Sequence, residues 1–314
     1  MQRSKNSLAH RRQHGYVMLA VLVCLVIAGL SLVTLAQRSM RLSTLALERQ
    51  RELQRKWGAL SCQRTLLPAA AALFDKLQEE AEQFQKRATK PSVPAPASFA
   101  ASVILGGTRF ELLLADENAK VNLNHSYHHR GRAGTERLVS RSLAGMFRPP
   151  VRLFTDAKQV DPFETLMDDE ALPLALGSWG QVFDLSRAAA PAAHRAIPQL
   201  TSRLTLWGQG KLNVRRAADA TIVDACQLVI SQGAAQRLQR ECRDKPKHHV
   251  DRLVEQLSVD REEQLMLQEM LTEHSSCFSL WTTVSSMSTH VAAQRFAILQ
   301  VDDEGVTRTI EFIF

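Results

Sequence analysis

Residues 1–36 read MQRSKNSLAHRRQHG followed by YVMLAVLVCLVIAGLSLVTLA, and the junction Gly15-Tyr16 divides them into two kinds of chain. Met1 to Gly15 carries Arg3, Lys5, Arg11 and Arg12 and no acidic residue. Tyr16 to Ala36 is 21 residues without a charge. A helix needs about 20 residues to cross ~30 Å of hydrocarbon, so this run is long enough to span. It exceeds the ~7–15-residue core of a secretory signal. Its one small-x-small cleavage candidate is Thr34-Leu35-Ala36. Basic flanks stay on the cytoplasmic side, so the expected topology is a single pass with the N-terminus cytoplasmic and the bulk of the chain translocated. A plain signal anchor, with Gly15 incidental, gives the same topology.

Beyond the apolar run the pattern stays helical and becomes amphipathic. Leu42, Leu45, Leu53, Trp57 and Leu60 recur near helical spacing among Arg41, Glu48, Arg49, Arg51, Glu52, Arg55 and Lys56. No turn signal intervenes before Pro68, so the span and stalk read as one helix from Val17 to Leu67, about 75 Å long at 1.5 Å per residue. The apolar spacing is not a sustained heptad, which argues against a coiled-coil dimer. A second helix follows Pro68 and ends at the Pro-rich stretch Lys90 to Ser98. Residues 1–15 thus read as a basic leader, 16–36 as a transmembrane helix, and 37–90 as stalk and following helix.

Residues 91–124 read as the first strands. Ala101 to Leu105 and Thr108 to Ala115 flank Gly106-Gly107, a hairpin signal. The second run leads into DENAKVNLN (Asp116 to Asn124), and a similar piece recurs as LTLWGQGKLNV (Leu204 to Val214). Both read as strand, polar turn and Lys-apolar-Asn, which suggests equivalent structures bracketing an insertion. That insertion, residues 125–200, reads as mostly helix and loop, with Gly134 to Met146 and Asp168 to Leu176 as helices between prolines. Residues 201–275 add the second motif and helices at Ala217 to Gln232, Ala234 to Arg243, His249 to Leu257 and Arg261 to Glu273. Residues 276–314 close with antiparallel strands, Val291 to Val301 and Val306 to Phe314 among them. The fold class is therefore α+β: a long N-terminal transmembrane and stalk helix, then an antiparallel sheet with a mostly helical insertion.

The chain has 314 residues and a net charge of +7; removing the four leader cations leaves +3. The remaining charge is mixed in sign, and no basic stripe with interleaved aromatics stands out, so no nucleic-acid partner is expected. The helical pairs lack the glycine-lined basic hairpin of a backbone-binding DNA module. Of the five cysteines, Cys24 lies in the apolar run and Cys62, Cys226, Cys242 and Cys277 outside it; none forms C-x-x-C. Four outer cysteines permit disulfides in an oxidising compartment and equally fit buried thiols.

The tempting chemistry is Asp116, Glu117, His125, His128 and His129, since His and carboxylates bind transition metals or exchange protons. Their spacing is not H-E-x-x-H, and NHSYHHRGRAG has the composition of a solvated loop. His248-His249 reads as surface. In DENAKVNLN the structural reading is better: Asp116 and Asn118 can close a turn on their own backbone, and Asn122 and Asn124 can cap. No G-x-S-x-G, G-x-x-x-x-G-K-[ST] or G-x-G-x-x-G occurs. The chain is read as not an enzyme.

The leader resembles the class III signals of the type IV pilin-like superfamily, in which a basic leader ends in Gly and a prepilin peptidase cuts before the apolar run. The resemblance implies cleavage at Gly15 and N-methylation of Tyr16. Most members carry Glu five residues after the cut; here Ala20 stands there. A buried carboxylate is costly unless paired, and a subunit with no neighbour ahead of it can dispense with one. Among pseudopilins this absence is typical of the K-type minor subunit. That family also has a D-E-x-G-K-x-N-L-N strand end, a helical insertion, a G-x-G-x-x-N motif and an S-x-x-F strand. DENAKVNLN, WGQGKLNV and Ser275-Ser276-Cys277-Phe278 follow in that order, with Ala119 where the family often has Gly.

The resemblance to the type II secretion minor pseudopilin of the K type implies an inner-membrane protein with a periplasmic outer part. It implies a structural role at the tip of a short pseudopilus. Expected partners are other minor pseudopilins, the major pseudopilin, prepilin peptidase, the inner membrane and, at the tip, secreted substrate proteins. No organic cofactor is expected. Calcium is the ion the family brings in; Asp302, Asp303 and Glu304 are the hard-oxygen candidates, although an acidic turn is ordinarily just solvated. Two rivals are a minor tip pilin of a type IV pilus and a signal-anchored periplasmic metal-dependent enzyme.

Overall fold

The apolar run and the stalk form one uninterrupted helix, α1 (Asn6–Leu66), in a computed structural model that describes residues 6–87, 93–142, 176–183, 201–246, 248–285, 293–301 and 305–313. The helix starts earlier than the apolar run alone suggests, because leader residues from Asn6 onward join it. Two units emerge, Met1–Trp57 and Gly58–Phe314.

Among its described residues the first unit is helix alone. Tyr16–Leu66 is long and apolar enough to cross a membrane. Its Leu19, Leu22, Leu25 and Leu32 are exposed on successive turns, so no side of the run is reserved for a protein core. The hydroxyls inside it are satisfied by the helix itself. Ser31 Oγ donates to the Ile27 carbonyl at 2.8 Å, and Thr34 Oγ1 to the Ser31 carbonyl at 2.8 Å. In hydrocarbon such internal bonding is the available solution for a polar group.

The second unit is built on a five-stranded antiparallel sheet in the order β1-β2-β7-β8-β9. β1 (Ser98–Leu105) and β2 (Thr108–Asp116) form the expected hairpin. Gly106 and Gly107 turn it with φ of 55° and 76°, a conformation that favours glycine at both central positions. β7 (Cys277–Ser285), β8 (Ala293–Val301) and β9 (Thr307–Ile313) follow much later in sequence, and β7 pairs back onto β2 with Leu114 opposite Leu280.

Alternation along these strands feeds two cores. On one face Phe110, Leu112, Leu114, Phe278, Leu280 and Leu299 pack on Ala59 and Cys62 of α1, on Leu67, and on Phe74 of α2 (Ala70–Arg87). Phe74 stacks on Phe278 at 5.8 Å between centroids. On the other face Trp281, Phe296 and Ile298 join a larger core with Trp179 and Trp207. Each such side chain, fully buried, contributes about 1.5–3 kcal/mol.

The remaining elements cover that second face. The first motif passes through a 3-10 turn (Glu117–Ala119) into β3 (Val121–Asn122) and α3 (Leu123–Ser142). A short α4 (Trp179–Val182) precedes β4 (Leu204–Thr205) and β5 (Leu212–Asn213). The second helical group is α5 (Asp219–Cys226), α6 (Gln232–Asp244), α7 (Val250–Glu255) and α8 (Arg261–Met270), followed by β6 (Leu271–Thr272). The sequence places four helices there but overruns the first, which ends at Cys226 rather than Gln232, and the last, because Leu271 and Thr272 pair with β5 instead. α8 starts at a capping box between Asp260 and Glu263. The helix expected at Asp168 to Leu176 lies outside the described residues apart from Leu176, which is not helical.

Gly58 marks where α1 meets the sheet. A Cβ built there would sit 2.3 Å from Phe110 Cζ. Gly58→Ala would gain about 1 kcal/mol of helix propensity, but the clash outweighs it, and overpacking of this kind costs about 1–3 kcal/mol. Thermal unfolding of the detergent-solubilised chain should show a lower Tm for Gly58→Ala, and a partial recovery when Phe110→Leu is added.

Candidate functional site

The densest arrangement of functional groups in the second unit is DENAKVNLN itself. β2 carries Asp116 out of the sheet, and its Oδ1 accepts the Asn118 amide at 2.9 Å to open the 3-10 turn. Two residues after Lys120, Asn122 ends β3 and begins α3, its Oδ1 accepting the His125 amide at 3.0 Å. Both are the local closures the sequence suggests.

The rest of the motif's bonding is long-range. Asn118 donates to the Lys211 carbonyl at 2.9 Å and accepts the amides of Ser276 at 3.0 Å and Cys277 at 2.9 Å. Asn122 donates to the Trp207 carbonyl at 2.9 Å. Asn124 donates to the Leu206 and Leu176 carbonyls, at 2.8 and 3.0 Å, and accepts the Leu176 amide at 2.7 Å. All three asparagines are buried. The first motif therefore binds the second directly, while β3 pairs in parallel with β4 and β5 with β6. In the second motif Asn213 plays a matching part, donating to Ser275 Oγ at 2.8 Å and accepting the Arg215 amide at 2.9 Å.

Charge is handled in two buried pairs. Glu117 accepts Lys120 Nζ at 2.6 Å and the Ser279 hydroxyl. Asp116 has no exposed surface and accepts Ser275 Oγ at 2.6 Å and Arg216 Nη1 at 3.1 Å. Burial raises the Asp116 carboxyl above its ordinary range; Ser275, Arg216 and Asn118 oppose that shift. Arg216 lies 5.5 Å over the Phe74 ring and reaches the exposed Asp75 at 2.6 Å, tying α2 to the motif. Nearby, buried Arg243 donates to the Val214 carbonyl at 3.0 Å, to the Ala217 carbonyl at 2.5 Å, and to Asp219 at 2.7 Å. Sequence reading finds Ser275 only as the start of the S-x-x-F strand and misses Arg216 and Ser279, whose one signal is polarity next to the second motif and the last strands.

The histidine cluster is not the solvated loop its composition suggests. Residues Leu123–Ser142 are helical, with a kink at Gly131, whose φ is 62°. His125 faces inward, where a Cβ on Gly210 would lie 2.9 Å from its Nδ1. Its ring sits 4.3 Å from that of His129, and its Nε2 is buried without a hydrogen-bond partner among the described residues. Burial, then repulsion from His129 and His128, lowers His125 to about 4. Burial also lowers His129, followed by His128 and Arg130, with Glu269 opposing. Asp116 and Glu117 are committed to their own buried partners, so the structure does not join them to the histidines. Among the described residues no three His, Cys, Asp or Glu side chains are grouped to hold a metal ion.

His249 is exposed and lies 3.2 Å from Glu273, which also binds Arg215 at 2.7 Å. Asp302, Asp303 and Glu304 lie outside the described residues. All five cysteines are free, and the four outer ones are buried. Burial raises Cys62 and Cys226, pushes Cys242 up to about 11 and lifts Cys277 well above its ordinary value. These thiols stay protonated at neutral pH, and a thiol is a poor nucleophile beside its thiolate.

Two outcomes follow from this geometry. Asn118→Ala leaves two amides and a carbonyl without their partner, and should cost at least about 3 kcal/mol in urea unfolding, since each group so orphaned costs about 1–3 kcal/mol. The second concerns His125, whose folded value lies below the unfolded value of 6.5. The stability it contributes as a neutral ring is complete above pH 6.5 and is lost as pH falls toward 4, because the unfolded chain takes up a proton the folded one refuses. The loss approaches about 3 kcal/mol. Unfolding at pH 7, 5.5 and 4 should show a smaller decline for His125→Gln than for the unaltered chain.

No protein-family model and no curated protein matches the sequence. Among solved structures, the chain is similar to one in the crystal structure of the GspK-GspI-GspJ complex from the type 2 secretion system of enterotoxigenic Escherichia coli. The two are 16% identical, with 85% of this chain and 99% of that one covered and a TM-score of 0.41.

Proposed function

We propose that this chain is a minor pseudopilin of the K type, processed after Gly15 and placed at the tip of a type II secretion pseudopilus. The observation that carries the reading is the junction itself: a basic leader ending in Gly15, then 21 uncharged residues beginning at Tyr16, with Ala20 in place of the usual Glu. The helical continuity of α1 through that junction and the mixed helix-and-sheet second unit support it. The work done is assembly. The apolar helix packs among neighbouring helices, and the outer part makes contacts with other minor subunits and with exported protein. A subunit that begins the filament has no preceding amine to pair with a carboxylate at position 20, so an apolar residue there is the cheaper choice in lipid.

Mass spectrometry of the mature protein's N-terminus tests the processing step in cells with an active prepilin peptidase. The expected species begins with N-methylated Tyr16. An intact Met1, or a start at Gln37, overturns the reading and favours a plain anchor or a cleaved signal. The position in the filament has its own test. Ala20→Glu should insert normally and bring no gain in pseudopilus assembly, whereas a large gain would place the subunit within the shaft.

A further inference from the structure

The helices α3, α5 and α6 enclose an open groove of about 830 Å³, lined by Arg141, Asp219, Asp224, Gln232, Gln236 and Arg240. Past Arg141 and Asp224 it continues into a hollow of about 150 Å³ that Arg130 and Arg137 line. Its volume lies within the range of ligand-binding clefts, roughly 300–1,000 Å³.

The charges along it do not cancel. Asp219 is held by Arg243 at 2.7 Å, and Asp224 faces Arg141 at 3.8 Å and the Ser142 hydroxyl at 3.4 Å. Arg130 is anchored by the Leu228 and Gln227 carbonyls, which fix its position and neutralise nothing. Arg137 and Arg240 use Nε on carbonyls of their own helices, Ala133 at 3.2 Å and Gln236 at 3.3 Å. Among the described residues no carboxylate pairs with Arg130, Arg137 or Arg240. The groove therefore keeps three guanidiniums for an anion.

Its other wall is a row of amides. Gln232, Gln236 and Gln239 recur at i, i+4 and i+7 on α6 and so share one face. Each offers a donor and an acceptor, the same pair a peptide group presents. Among the described residues no aromatic side chain lines the groove. That removes the stacking platform on which single-stranded nucleic acids depend.

We propose that this groove binds an extended acidic segment of another protein, its carboxylates on Arg137 and Arg240 and its main chain along the glutamine row. The assignment goes beyond the pseudopilus reading and stands or falls separately, because its test is a binding measurement that does not depend on leader cleavage or filament assembly.

The test uses the full chain in neutral detergent micelles and fluorescence anisotropy with three probes: a short labelled Glu/Ser peptide, its Lys/Ser counterpart, and a sulfated oligosaccharide. The acidic peptide should bind, the basic one should not, and added salt should weaken the complex. Reversing both exposed cations, Arg137→Glu with Arg240→Glu, should weaken acidic-peptide binding at least about tenfold, or about 1.4 kcal/mol. If the double variant fails to fold, Arg240→Gln alone should weaken it by several-fold. Equal binding of both peptides, indifference to charge reversal, or capture of the oligosaccharide without the peptide would overturn the assignment.

Discussion

A carboxylate with no exposed surface sits where the sheet hands over to the rest of the second unit. Removing Asp116 from water costs several kcal/mol, and the fold offsets this with a guanidinium, a hydroxyl and a backbone amide brought from separate stretches of chain. Ser275 leads into β7, Arg216 follows the second motif, and Arg216 reaches onward to Asp75 on α2. Apolar contacts would stabilise the same region with less directional demand. The charged node requires that all of these segments arrive together, and a missing member leaves a buried charge uncompensated. The two hydrophobic cores, one on each face of the sheet, are thereby joined at a point where register matters.

The asparagines solve a different problem. β3, β4, β5 and β6 are two residues each, and such short parallel pairs carry too few ladder bonds to hold on their own. Asn118, Asn122 and Asn124 extend the connection by presenting side-chain amides to the carbonyls of Lys211, Trp207 and Leu206. An asparagine amide has the same donor and acceptor as a peptide group, so the stretch from β4 to Lys211 is bound as though by a strand. That stretch can then bend at Gly208 and Gly210, whose φ values of 88° and 83° a regular ladder would not accommodate.

The legible parts of the sequence were those with local signals. Two β-rich runs around the Gly106-Gly107 turn give β1 and β2, and uniform apolarity followed by helical spacing gives α1. The two Lys-x-Asn motifs reveal turns and caps but not their partners, since hydrogen bonds spanning 52 to 159 residues leave no local trace. The tract after Asn124 misleads because glycine, histidine and arginine together have the composition of a loop. It becomes helical because Asn122 caps it, and Ser126 and Thr135 hold the two sides of the Gly131 kink at 3.1 Å. His125 is drawn inward by the space left beside Gly210, a glycine some 85 positions later. Tertiary packing outweighs composition there.

Asn124 also ties together stretches of chain that lie far apart in sequence. It grips both backbone groups of Leu176, while Ser142, at the end of α3, is tied to Asp224. The points at which the chain leaves α3 and rejoins the scaffold are therefore fixed by bonds to α5 and to the stretch after β4. One asparagine couples α3, Leu176 and Leu206, so a change at position 124 would be felt at all three together rather than along a single element.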